Sequence, residues 1–169
     1  VDVTDLLAEA YGRLPDLVGA AVDGLGPEQL RQPPAPGANT VGWLIWHLTR
    51  IQDSGVADLL GEEQVWVSGD WAGRFGLTAD PNDTGFGYTT EQVLACRPES
   101  GQALLDYHRA VAERTGAYLR GLRPGDLDRV VDENWDPPVT AGVRLISLLE
   151  DNLQHAGQAA YVRGLIEPG

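Results

Sequence analysis

The sequence contains no lysine: its 12 basic residues are all arginines, set against 25 acidic residues for a formal net charge of −13. A surface that negative repels a phosphate backbone and an anionic membrane alike, so neither nucleic acid nor membrane is expected as a partner. Cysteine occurs once, at Cys96, which excludes an intramolecular disulfide and any metal site built from thiolates alone. No apolar run reaches the roughly 20 residues of a membrane span. The start, Val1-Asp-Val-Thr-Asp5, lacks the basic and apolar regions of a signal peptide. The expected location is the cytoplasm. Histidine is scarce too, limited to His47, His108 and His155.

The 169 residues, 43% of them hydrophobic, are enough for one domain over 1–169 with a sizeable core, which rules out a disordered chain. No alternating strand series and no internal repeat is visible. Helical spacing recurs in Leu6, Leu7, Ala10, Leu14, Leu17, Val18 and Ala21, predicting a first helix over Asp2–Asp23 that Pro15 kinks or splits. Asn39 or Thr40 caps a second helix running to about Gly61. Its first half is apolar on more than one side, so neighbours should enclose it. Pro98–Leu122 reads as a third helix. A fourth starts at a Thr40-like cap, Thr140, and ends near Gly164 or Glu167. Between the second and third, Glu62–Cys96 is rich in glycine and aromatics and holds short helical pieces. A connection that long is often functional, as a lid or a binding wall. Val130–Trp135 reads as a brief extended piece. The expected fold is an all-α four-helix bundle.

Asp151 and His155 stand four residues apart, so both project from one face of the last helix, and a carboxylate with an imidazole can share a divalent ion. The third ligand would be His47 or His108. Bundle cores build metal sites from facing helices, and three protein ligands leave positions open for substrate. A histidine in an apolar helix is equally suited to packing, and His108 reads as surface or helix packing. Glu150 points about 100° away from Asp151 on the helix. Cys96 reads as a small buried apolar residue. Arg144 lies seven residues before Asp151 on nearly the same face, placed either to grip a polar substrate group or to form a salt bridge. Trp43, Trp46, Trp66, Trp71 and Trp135 read first as core, with one or two left to line a pocket.

Two stretches carry a resemblance. Thr40-Val-Gly-Trp-Leu-Ile-Trp-His-Leu-Thr-Arg-Ile-Gln-Asp53 is similar to the second-helix signature of the DinB-like superfamily. Arg144-Leu-x-Ser-x-Leu-x-Asp-x-x-x-His-x-Gly-Gln158 resembles that superfamily's last helix. The resemblance implies an up-down-down-up bundle with a divalent metal held by His47, Asp151 and His155. Many members carry His at the position of Asp151, and the mycothiol-dependent maleylpyruvate isomerase branch carries Glu.

The implied activity is a metal-dependent S-transferase that activates a low-molecular-weight thiol for attack on an electrophile. Zn²⁺ is the expected ion, with Ni²⁺ or Mn²⁺ as alternatives. The lysine-free composition suggests a high-GC bacterial source and hence a mycothiol-like thiol. Arg144 would orient an anionic group, Trp66, Trp71 and Tyr88 would close the mouth, and Gln158 or Asp53 would fix a histidine tautomer. Two other readings are an isomerase of the maleylpyruvate type or a metal-dependent hydrolase, and a non-catalytic metal-binding bundle linked to stress. A homodimer through a leftover apolar helix face is also an expectation.

Overall fold

The structure is a computed structural model that describes residues 1–167. Helix α1 (Val3–Gly12) starts from Asp2, whose carboxylate accepts the N–H groups of Thr4 and Asp5, with Asp5 reaching back to the Asp2 N–H. Helix α2 (Leu14–Val22) follows after Arg13 alone. Pro15 therefore splits the first helix rather than kinking it: it sits in the first turn of α2, where a missing N–H leaves nothing unbonded. A single turn, α3 (Pro27–Arg31), precedes α4 (Val41–Leu60). The Thr40 hydroxyl caps α4 by accepting the Trp43 N–H at 3.1 Å, and Gly61 ends it at φ 68°, a conformation in which a side chain would be strained.

The long connection holds α5 (Val65–Ser68), a 3₁₀ turn at Ala72–Phe75 and α6 (Thr90–Ala95). Helix α7 (Gly101–Gly121) begins at a Ser100 cap, a few residues later than Pro98, the start read from the sequence. The brief extended piece becomes strand β1 (Val130–Asp132). It pairs antiparallel with β2 (Val139–Thr140), Val130 opposite Thr140 and Asp132 opposite Val139. The chain then enters α8 (Ala141–Ile166).

The four arms are α1 with α2, α4, α7 and α8. Helices α7 and α8 each pack against both the α1–α2 arm and α4, with α4 on α8 the most extensive interface. This is the all-α four-helix bundle that the sequence predicts. Helix α4 is enclosed as its pattern implies: every residue from Val41 to Arg50 is buried. Close approach is set by glycine. A Cβ at Gly55 would stand 2.5 Å from Leu148 Cδ2 on α8, and one at Gly42 would stand 2.8 Å from the Leu30 carbonyl oxygen.

The connection is pinned by a buried ion pair. Arg50 and Asp53, both on α4 and both with fully buried side chains, meet at 3.4 Å. Arg50 also donates to the carbonyls of Asp83 (3.0 Å), Pro81 (3.2 Å) and Asp80 (3.4 Å) and to Gln64 Oε1 (2.8 Å). Asp53 accepts the N–H groups of Val65 (2.9 Å) and Trp66 (2.8 Å) and the Tyr107 hydroxyl (2.8 Å). Asp53 thus anchors the connection and touches neither His47 nor His155, which corrects its assignment as a tautomer-fixing partner. Trp66 is corrected as well. It is fully buried against Phe75 and Tyr107, belongs to the core, and closes no mouth. Trp71 packs on Tyr107 in the same region. No helix among the described residues is long and apolar enough to cross a membrane.

Candidate metal centre

Helices α4 and α8 bring His47, Asp151 and His155 together, with one ligand atom from each lying within 4.8 Å of the others. The two rings stand 4.8 Å apart at 75°, and Trp43 stacks on His47 at 4.7 Å and 6°, holding its plane. His108 is elsewhere. It is buried on α7, with Nδ1 3.2 Å from the Thr49 hydroxyl, so the surface alternative falls and the packing one stands.

Outer partners decide which nitrogens are free. His47 Nδ1 lies 2.5 Å from the Thr84 carbonyl, which can only accept, so this nitrogen carries the hydrogen and Nε2 keeps its lone pair for the cluster. His155 Nδ1 lies 2.8 Å from Gln158 Oε1, as one of the two suggested partners requires, and its Nε2 faces Asp151 Oδ1 at 3.5 Å. The other Asp151 oxygen, Oδ2, is buried with no hydrogen-bond partner among the described residues. A buried carboxylate oxygen left bare is costly. A cation held by the three side chains would satisfy it, so the donor set fits a divalent metal.

The electrostatics agree. Burial pulls the pKa of His47 below its ordinary value, against the Thr84 hydrogen bond that raises it. The Asp151 hydrogen bond pushes that of His155 up, against its partial burial. The site therefore attracts positive charge at the place where Nε2 of His155 meets the carboxylate, and a metal ion answers the same demand as a proton.

A cavity of about 280 Å³ opens on the three side chains. Trp43, Phe86 and Tyr88 form its walls. The segment Asp83–Tyr88, part of the long glycine- and aromatic-rich connection, supplies the Thr84 carbonyl, and Gly85 is where it crosses the aromatic side chains. At Gly85 (φ 85°) a Cβ would stand 2.7 Å from the Trp46 ring and 3.2 Å from His47 Nδ1. Tyr88 donates its hydroxyl to the Asp83 carboxylate, holding the turn closed. Arg144 lies two turns before Asp151 on α8 and pairs with Asp132 of β1 at 3.4 Å. Trp135, read as core, is largely exposed. Cys96 is buried as expected, and burial pushes its thiol pKa up, so it is unreactive.

Residues 10–159 match the sequence pattern of the DinB superfamily, and the chain belongs to it. Its structure is similar to the crystal structure of a conserved protein from Enterococcus faecalis, with a TM-score of 0.90 and 32% identity over 98% of each chain. No curated protein matches the chain significantly. The superfamily is a metal-binding one that includes enzymes, and the His47–Asp151–His155 cluster could hold a metal.

Proposed function

We propose that this protein is a divalent-metal-dependent S-transferase that joins a low-molecular-weight, mycothiol-like thiol to an electrophilic carbon. The observation that carries the reading is the bare, buried Oδ2 of Asp151 in a cluster where one ligand atom each of His47, Asp151 and His155 lies within 4.8 Å of the others, beside an open cavity. Two imidazoles and a carboxylate suit Zn²⁺, and three protein ligands leave room for a substrate atom. When bound, the ion supplies positive charge that favours the deprotonated form of a thiol near neutral pH, where a free thiol with a pKa of about 8.5 is mostly protonated.

The chain's own residues do the rest. Thr84 and Gln158 hold the two imidazoles in the tautomer that turns Nε2 inward. Trp43 fixes the plane of His47, and the aromatic walls exclude water from the reacting sulfur. Arg144 orients a polar group of a substrate. The sulfur lone pair forms the new C–S bond, the leaving group departs with the electron pair of its bond to carbon, and the thiol proton passes to solvent.

The test is elemental analysis of untagged protein, wild type beside His155→Ala, followed by turnover assays with and without thiol. The expected result is near one equivalent of zinc in wild type, its loss in the variant, and product formation only with thiol present. Metal-free wild type that takes up no zinc, nickel or manganese would overturn the reading. Turnover of a substrate without any thiol would replace the transferase with a hydrolase.

A further inference from the structure

The groove between α4 and α8 does not end at the three ligands, because Asp151 lines a second cavity. The first, of about 280 Å³, has Trp43, Phe86 and Tyr88 as walls. The second, of about 410 Å³, runs toward the start of α8 past Ile51, Trp135 and Leu148 to Arg144 and Asp132. Ile51 lies one turn beyond His47 on α4, and Arg144 two turns before Asp151 on α8, so the two cavities adjoin at Asp151, which lines both.

Their chemistry differs. The first is aromatic, and Asp151 is the one carboxylate among the residues that line it. Phe86, 87% exposed, stands at its lip between Gly85 and Gly87. The second ends in an ion pair. Asp132 already accepts the N–H (3.0 Å) and side-chain amide (2.9 Å) of Asn134 as well as Arg144. The Arg144 guanidinium carries five N–H donors, and the contact with Asp132 uses one. The pair is neutral as a whole, and Asp58 stands beside it. A bare polyanion is therefore disfavoured. An end that is neutral overall and rich in hydrogen-bond acceptors, an amide or an amino-acid zwitterion, suits the remaining donors.

We propose that the two reactants divide between these cavities, with their reacting atoms meeting at Asp151. The thiol lies along the second, its polar end on Arg144 and its sulfur at the ligand cluster. The electrophile, an unsaturated or aromatic carbon skeleton, enters the first against Trp43, Phe86 and Tyr88. This rests on the thiol-transfer reading. Seven residues of helix rise about 10 Å, so the thiol must carry its polar end several bonds from sulfur, as a cysteinyl peptide does and an alkanethiol does not.

The test titrates cobalt-loaded protein with glutathione and with 2-mercaptoethanol, following the sulfur-to-cobalt absorption band. Glutathione is expected to bind at least ten-fold more tightly. Arg144→Ala removes that advantage and leaves 2-mercaptoethanol unchanged, which also shows the ligand cluster intact. Phe86→Ala changes neither titration but raises KM for 1-chloro-2,4-dinitrobenzene several-fold. In that reaction the C–S bond forms, chloride leaves with its electron pair and the thiol proton goes to solvent. If neither thiol produces the band, the thiol-transfer reading itself fails. If the band forms but Arg144→Ala leaves glutathione unaffected, or Phe86→Ala weakens it as much, the division between the cavities is overturned and the transfer reading survives.

Discussion

Gln158 holds the ring of His155 from behind, its Oε1 2.8 Å from Nδ1 and one helical turn further along α8. Removing such an outer partner typically costs 10–100-fold in metal affinity, because the ring loses both its tautomer and its orientation. Gln158→Leu should therefore weaken zinc binding by about that factor, measured by competition with a chromophoric chelator. The melting temperature of the metal-free protein should hardly move, since this end of α8 packs without the amide. Unchanged zinc affinity would show that Gln158 plays no part in the site.

Gly85 and Gly87 form a matched pair of probes. Both have positive φ, at 85° and 72°, so alanine at either pays backbone strain of about 1–2 kcal/mol. Only at Gly85 does the added methyl meet the site, at 2.7 Å from Trp46 and 3.2 Å from His47 Nδ1; at Gly87 nothing lies within 4 Å. Both variants should lose stability in urea, Gly85→Ala the more because its methyl also meets the buried Trp46 ring. Gly85→Ala alone should lose metal affinity, by roughly ten-fold or more as the hydrogen bond holding His47 is displaced. Equal metal affinities would mean that the Thr84 carbonyl does not position the ring.

Periodicity explains why the clustering of Asp151 and His155 on α8 was legible in the sequence and the wall opposite was not. Asp151 and His155 share a helical face by spacing alone, and Thr40 and Thr140 mark the starts of both site helices. The choice between His47 and His108 is different, since each lies on a helix with an apolar face. Tertiary rotation separates the two: His47 and Thr49 are two residues apart and point about 200° apart on α4, so one meets Asp151 and His155 on α8 and the other meets His108 on α7. Thr84 acts through a backbone carbonyl 37 residues from His47, which leaves no mark in side-chain patterns. Trp66 is core, as its first reading has it, and not part of the mouth: Asp53 accepts its backbone N–H and draws it inward.

Arg50 shows the same limit in a charged residue. Nothing in the spacing of α4 marks it out, yet it is fully enclosed by carbonyls of the connection. Breaking a buried ion pair from one side costs about 3–5 kcal/mol, because the remaining charge stays buried. Arg50→Met should lower stability by that amount in urea unfolding. It should also weaken zinc binding, since Asp83 is released next to Thr84. Arg50→Met with Asp53→Asn should recover part of the stability but not the zinc affinity, because the carbonyls of Asp80, Pro81 and Asp83 remain without their donor. Full recovery of both would show that the arginine does not order the ligand-holding turn.

His108 gives the fold a pH dependence with a definite sign. The Thr49 hydroxyl donates its hydrogen to the Ile45 carbonyl at 2.8 Å, so His108 Nδ1 must donate to Thr49, and the bare Nε2 has no partner among the described residues. Burial lowers the pKa to about 4, against an ordinary 6.5. Above pH 6.5 neither state holds the proton and the group has no effect. Between 6.5 and 4 the unfolded chain takes up a proton that the folded chain refuses, so stability is present above the unfolded pKa and is lost as pH falls. At pH 4.5 the loss is about 2–3 kcal/mol. His108→Leu lacks this titration and shares every other one. Urea unfolding at pH 7.5 and 4.5 should show the wild type losing about 2–3 kcal/mol more than the variant. Equal losses would mean that His108 is reached by water or by a donor in the folded state, and the neutral, enclosed imidazole described here would be wrong.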